Sequence, residues 1–471
     1  MLMLVMLLHI GIIAVGQDVL FSGEIKNHHD EPVSVFRFDK FEGRIDMGSA
    51  TIQEDGSFSM ELYDIKAGKY YWQHNEERTN IYLMPDMHLR VTVDYQDFDR
   101  SLEYSGTGAD ESNYLADHYN TFLNHKDQDD NLYAIVMNKI SKLSPDEYKN
   151  LMDSLYNIQL IHLNEWKSKL SDEFYTKTKG EFYYQSLDNK YRYTWMRDYI
   201  SQQNSSVDPV EIEDSYFSFL EDLYFDQDML AENSYYIEVA DQKLSRYNLF
   251  NDDIRQVESI EDVISSYKNA THIAEGMSLH HLRLNVFINA LRRMNASEFE
   301  DPVEMFMNSE APAELKEKLN KYYRKQLALS KGNVAPDFTL INLDGDSISL
   351  RSLMGKVTYL DFWASWCAPC IMEFKHLPYL KEKVDLEKIQ FLYISIDEDE
   401  ESWRKAVEKH QLSGVHLWAK GFQHEVPKLY QVRGIPKYFI LDADNIILDD
   451  NPPRPSTGEI LIELLNGYID Q

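Results

Sequence analysis

Cysteine is nearly absent: Cys367 and Cys370 are the only two in 471 residues. That scarcity excludes a fold stapled by several disulfides, and a bridge across so short a loop removes little chain entropy. It also argues against structural zinc, which needs four ligands, because one C-x-x-C supplies two and no second pair exists. The nearest candidates, His376 and His410, have no matching partner motif. Basic residues are sparse too, with 47 Lys and Arg against 79 Asp and Glu and a net charge of −32. Phosphate binding needs Lys/Arg clusters and counterion release, so nucleic acid is excluded as a partner. The plain reading of the excess acid is a well-solvated surface. Past the first sixteen residues no stretch approaches 18 uncharged apolar residues, which predicts a soluble mature chain. Internal repeats and low-complexity tracts are missing as well.

What is present is a composition that folds, 43% hydrophobic and 13% aromatic with 31 tyrosines, enough to offset chain entropy. The length asks for several domains. The opening run to Gly16 is too short for a membrane span but suits a signal-peptide core. Ala14-Val15-Gly16 offers a small-x-small cleavage pattern and no lipid-accepting cysteine follows, so residues 1–16 read as a signal peptide and the protein as exported. Residues 17–108 read as an antiparallel β-sandwich, with alternating Val33-Ser-Val-Phe-Arg-Phe and Leu89-Arg-Val-Thr-Val and a turn at Asp55-Gly56. Residues 109–329 read as all-α. Ser144-Pro145-Asp146-Glu147 supplies a cap, a first-turn proline and acids, and Asp208-Pro209-Val210-Glu211 predicts another helix carrying Phe217, Leu220, Leu223 and Tyr224. Tyrosine-rich runs such as Phe182-Tyr-Tyr and Tyr191-Arg-Tyr-Thr-Trp read as helix packing. Residues 330–471 alternate strands and helices, an α/β pattern, and Val357-Thr-Tyr-Leu-Asp-Phe-Trp has the continuous apolar character of a strand buried on both faces.

Cys367 comes directly after that strand and before a helical segment, so it should sit at a helix N-terminus. Backbone N–H groups and the macrodipole there favour a thiolate. This setting predicts an asymmetric pair. Cys367 is exposed and attacks, whereas Cys370, one turn inside, is shielded and resolves the mixed disulfide. Pro369 stiffens the first turn.

Leu360-Asp-Phe-Trp-Ala-Ser-Trp-Cys-Ala-Pro-Cys closely resembles the active-site segment of thioredoxins. Ala335-Pro-Asp-Phe-Thr-Leu, Gly355-Lys356 and Glu373 resemble the exported TlpA/ResA-type branch of that superfamily, a likeness that covers residues 333–471. The resemblance implies a thioredoxin fold and thiol–disulfide exchange with protein thiols and disulfides, fed by an unidentified electron donor and without a cofactor or metal. It implies a cis-proline loop at Gly434-Ile435-Pro436, with Ile435 and Pro436 facing the sulfurs and the substrate beside them. Asp361 matches the buried acid beneath the dithiol and Glu373 an acid near the site, either of which could take the Cys370 proton. Trp363 and Trp366 should pack around the site, Trp366 on the substrate side. Relatives of this kind often carry an N-terminal β accessory module, which residues 23–113 resemble, and imply the envelope or periplasm of a Gram-negative bacterium.

Two other functions compete with a reducing oxidoreductase. Ala335-Pro-Asp-Phe also resembles peroxiredoxins, but position 364 is Ala where that chemistry wants Thr. The 310-residue lead could instead belong to an envelope binding or scaffold protein whose redox domain is regulatory or vestigial.

Overall fold

The computed structural model describes residues 19–39, 43–124, 131–203 and 206–469. The signal-peptide segment lies outside the described residues. The chain divides after Lys243 into two compact units.

In the first unit, eight short strands come first: β1 (Val19–Lys26), β2 (Val33–Asp39), β3 (Gly43–Ala50), β4 (Ser57–Leu62), β5 (Gly68–His74), β6 (Glu77–Leu83), β7 (His88–Asp94) and β8 (Glu103–Gly106). They form two four-stranded sheets, ordered β4-β1-β7-β8 and β3-β2-β5-β6. Burial alternates along β1, β4 and β7, as a strand with one face in a core requires. Phe21, Phe58 and Val91 from one sheet share a single core with Val35, Trp72 and Ile81 from the other. The Trp72 indole N–H donates to the Tyr104 hydroxyl at 2.7 Å, joining the sheets inside it. The pairing departs from the all-antiparallel expectation, because β1 runs parallel to β7 with Leu20 opposite His88. The strands between them supply the long crossover that a parallel pair needs.

A short helix α1 (Phe98–Ser101) is followed by α2 (Ala109–Phe122), α3 (Leu132–Ile140), α4 (Pro145–Trp166) and α5 (Asp172–Gln203). At α4 the expected start is found, a capping box in which the Ser144 side chain accepts from Glu147 N–H and Glu147 reaches back to Ser144. Tyr148, Tyr193 and Tyr216 are core residues, whereas Trp195 is exposed, so the aromatic runs divide between the faces of their helix. The helix expected from Asp208 is not formed. Residues 208–213 are irregular and a 3-10 segment covers Asp214–Leu220. Two tertiary bonds set that path: Arg197 donates to the Asp208 carbonyl, and the Tyr216 hydroxyl donates to the Lys190 carbonyl at 2.8 Å.

The boundary between the units falls inside α6 (Ser234–Asp252). The second unit continues with α7 (Ile260–Asn269), α8 (Gly276–Leu291), α9 (Glu300–Met307) and α10 (Ala313–Leu327). Then come β9 (Thr339–Asn342), β10 (Ser347–Ser349), β11 (Val357–Trp363), α11 (Ala368–Phe374), α12 (Leu377–Lys383), β12 (Ile389–Ser395), α13 (Glu400–Lys409), β13 (Val415–Trp418), α14 (Glu425–Leu429), β14 (Lys437–Leu441), β15 (Ile447–Asp449) and α15 (Glu459–Ile469). One seven-stranded sheet has the order β10-β9-β13-β12-β11-β14-β15. The strands β11, β12 and β13 are mutually parallel, and β14 runs antiparallel beside β11. All seven residues of β11 are buried, as its continuous apolar character requires. No helix among the described residues is long and apolar enough to cross a membrane.

Gly23 of β1 has no room for a side chain, since a Cβ there would lie 2.5 Å from Val91 Cγ1 and 2.9 Å from Phe58. Gly23→Ala should therefore destabilise the first unit by ~1–3 kcal/mol. Hydrogen exchange should be faster in β1 and β7 of the variant and unchanged in β11; equal protection of β1 in both proteins would refute the contact.

Candidate active site

The register of the second sheet brings the chemistry to one end. Trp363 ends β11 opposite Ser395, the last residue of β12, and Phe362 lies opposite Lys437, the first residue of β14. The turn that leaves β11, the segment after β12 and the loop before β14 therefore meet at the carboxyl ends of the parallel strands, where open α/β sheets place their ligands.

Out of β11 the chain turns through Ala364, whose carbonyl accepts from Cys367 N–H at 3.1 Å. Cys367 is the N-cap of α11, and Pro369 sits in the first turn. The cysteines are joined as a disulfide with Cα atoms 5.3 Å apart. The Cys370 N–H also donates to Cys367 Sγ at 3.2 Å, so the helix start aims a backbone dipole at the outer sulfur. Cys370 is fully buried. The expectation of an exposed Cys367 is corrected: it is only 4% exposed. Its sulfur is engaged by its cap bond and by the disulfide, and the exposed members of the motif are Trp366, at 60%, and Ala368. The Trp366 ring lies 6.2 Å from that of Phe422. Trp363, by contrast, is a core residue packed edge-on against Phe374 at 5.0 Å.

Two residues before the end of β11, Asp361 is buried between Tyr393 of β12 and Tyr438 of β14, its register partners on either side. Its Oδ1 meets no donor among the described residues, and neither tyrosine hydroxyl has a partner there. Burial, and secondarily the charge of Glu373, raises the Asp361 carboxyl well above the ordinary carboxylate range. Glu373 is held elsewhere. Ser456 donates its N–H to one carboxylate oxygen at 2.8 Å and its hydroxyl to the other at 3.1 Å. The two acids share a buried region, but only Glu373 has hydrogen-bonding partners. Across the site, the Ile435–Pro436 bond is cis, as the resemblance implies, and leads straight into β14.

A third buried acid escaped the sequence reading. The Asp397 carboxylate accepts from Ser365 N–H at 3.0 and 3.1 Å, from the Ser365 hydroxyl at 2.6 Å and from the Ser395 hydroxyl at 2.7 Å. It pins the turn two residues before Cys367. Its only sequence signal is a short polar end, Ser395-Ile-Asp397, on an apolar strand.

A sheet with a C-x-x-C pair capping a helix and a cis-proline facing it defines a thioredoxin-like redox domain. The comparisons agree. Residues 331–449 match the AhpC/TSA family. The chain is 32% identical over 131 residues to the thioredoxin-like protein YneN of Bacillus subtilis, covering 27% of this chain and 75% of that one. It is 28% identical over 148 residues to the thiol-disulfide oxidoreductase ResA of Bacillus thuringiensis, covering 31% and 82% respectively. The protein belongs to the thioredoxin-like thiol–disulfide oxidoreductases, through this C-terminal part of the chain.

The state of Asp361 has a thermodynamic signature. A carboxyl with a raised native pKa keeps its proton after the unfolded chain has lost it, so native stability falls as pH rises above about 4. In Asp361→Asn that contribution is removed. Denaturant midpoints should therefore shift in favour of the variant as pH is raised from acid to neutral, and parallel pH profiles would show that the carboxyl is ionised in the native protein.

Proposed function

We propose that the protein is an exported thiol–disulfide oxidoreductase working as a reductant on protein disulfides. The carrying observation is the Cys367–Cys370 disulfide at the cap of α11, with cis-Pro436 at the same end of the sheet. In the reduced protein the Cys367 thiolate attacks a substrate S–S bond, forming a mixed disulfide and expelling one substrate thiolate, which takes up a proton. Cys370 then gives its proton to the Asp361 side chain, which can accept it only in its ionised form, and the Cys370 sulfur attacks Cys367 Sγ. The second substrate sulfur leaves as a thiolate and takes up that proton, and the disulfide seen in the structure is formed. An external dithiol donor must return the two electrons. The raised affinity of Asp361 for a proton supports it as the acceptor in preference to Glu373, whose oxygens are already engaged by Ser456. Trp366 and Ile435 flank the approach of an extended substrate segment, with Phe422 beside the indole.

Export is supported by the apolar run to Gly16, and a Gram-negative envelope or periplasm by the kind of relative the sequence resembles. For the remainder we propose a β-sandwich accessory domain at 17–108, a helical domain at 109–329 and the redox domain at 330–471. The shared core of the two N-terminal sheets supports the first of these.

Insulin reduction by dithiothreitol tests the central reading. The wild type should accelerate it and Cys367→Ala should fall to the uncatalysed rate. Equal rates for the two proteins would sink the oxidoreductase assignment. Cys370→Ala should accumulate mixed disulfides through Cys367 that dissolve on adding excess thiol.

A further inference from the structure

The loop that carries cis-Pro436 is loosely held on its open side. Gly434 is exposed, and a Cβ built there would meet nothing within 4 Å. It is anchored at both ends. On one side Val432 is buried and its N–H donates to the Pro427 carbonyl at 2.8 Å; on the other Lys437 enters β14, its Nζ donating to the Asp450 carbonyl at 2.6 Å. Between these ends Arg433 lies over the ring of Tyr322, 5.2 Å from its centroid.

Tyr322 belongs to α10, ahead of the segment that resembles a redoxin. Its helix is a firm support. Leu315, Leu319 and Tyr322 recur at helical spacing on its buried face, and Tyr322 itself is 3% exposed. The chain just after α10 is built into the redox sheet. Leu329 belongs to the redox core, Gly332 N–H donates to the Ile447 carbonyl, and Ile447 N–H donates to the Asn333 carbonyl. The preceding helices touch it too, since the Asn451 side chain donates to the Arg293 carbonyl at 2.8 Å. All these residues lie in one compact unit beginning at Leu244.

We propose that Tyr322 is a positioning residue for thiol–disulfide exchange: by holding Arg433 through its ring face it fixes the Gly434-Ile435-Pro436 loop for binding an extended, disulfide-bearing protein segment. The helices up to Leu327 thus act on substrate affinity and not on the chemistry of the sulfurs. The inference rests on the oxidoreductase reading given above. A guanidinium over an aromatic face is attracted by the ring quadrupole and keeps a fixed height above it, which restrains the adjoining backbone.

The test uses the full chain, with insulin as substrate and dithiothreitol as donor. Tyr322→Leu should raise KM for insulin about three- to tenfold, the scale of one cation–π contact, and leave kcat unchanged. The rate at which iodoacetamide alkylates reduced Cys367 should also be unchanged, because no group at the sulfurs is altered. Tyr322→Phe keeps the ring face and should retain the wild-type KM, and Arg433→Gln should reproduce the Leu phenotype from the other partner. An unchanged KM in Arg433→Gln, or equal KM values for the Leu and Phe variants, overturns the inference while leaving the oxidoreductase reading intact. A wild type that does not accelerate insulin reduction at all overturns both.

Discussion

Strand β11 is buried along its whole length on both faces, and that constraint organises the redox unit. A strand so enclosed can meet water only where it stops, and it stops at Trp363. The turn beyond it must satisfy its own backbone groups while leaving the sheet, which it does by bonding Cys367 N–H to the Ala364 carbonyl and Ser365 N–H to Asp397. Only then does α11 begin, with Cys367 as its cap. The reactive pair lies at the boundary between a dry strand and a helix N-terminus because the strand's burial allows the chain no earlier opening. The same burial explains why β14 brings Pro436 alongside: the register of Lys437 with Phe362 leaves the preceding loop level with the end of β11.

The two aspartates near this boundary show how environment divides one side-chain type into two roles. Asp397 is surrounded by donors, three groups from two serines converging on its oxygens, and its carboxylate is a structural anchor. Such a group is costly to remove, because a serine amide and hydroxyl would lose their partner in a buried place. Asp361 has an acid nearby and no donor to Oδ1. Burial without a partner favours the neutral form, so its carboxylate, whenever formed, is a strong base. A structural anchor needs the first kind of site, and a titrating base the second.

Much of this was legible in the sequence because it is local. The seven-residue apolar run, the C-x-x-C spacing, the Ile435-Pro436 loop and the Ser144–Glu147 capping box are each written in adjacent residues. What was not legible depends on distant partners. Glu373 reads as an acid near the site with free oxygens until Ser456, 83 positions later, is placed against it. Asp397 gives no sign of its role until Ser365, 32 positions earlier, is brought to it. Tyr393 and Tyr438 flank Asp361 only through the pairing of three strands. In the first unit, β3 has no fully buried position and therefore little hydrophobic pattern to read, and the parallel β1–β7 pair is a matter of topology. The misplaced helix at Asp208 has the same cause: good start signals there are overridden by bonds from Arg197 to the Asp208 carbonyl and from the Tyr216 hydroxyl to the Lys190 carbonyl.

The exposure of the motif is the point where local reasoning and packing part most sharply. A nucleophile was expected to face water, yet Cys367 is nearly as enclosed as Cys370, and its neighbours Trp366 and Ala368 take the exposed positions. The difference between the sulfurs therefore cannot rest on access alone. A second difference between them is the Cys370 N–H that points at Cys367 Sγ, a donor placed to stabilise charge on that sulfur, whereas Cys370 is fully enclosed in the apolar core. Both sulfurs are enclosed, so the outward-facing groups at this end of the sheet are Trp366 and the loop at Gly434, and the bond between the cysteines is covered while its surroundings meet water.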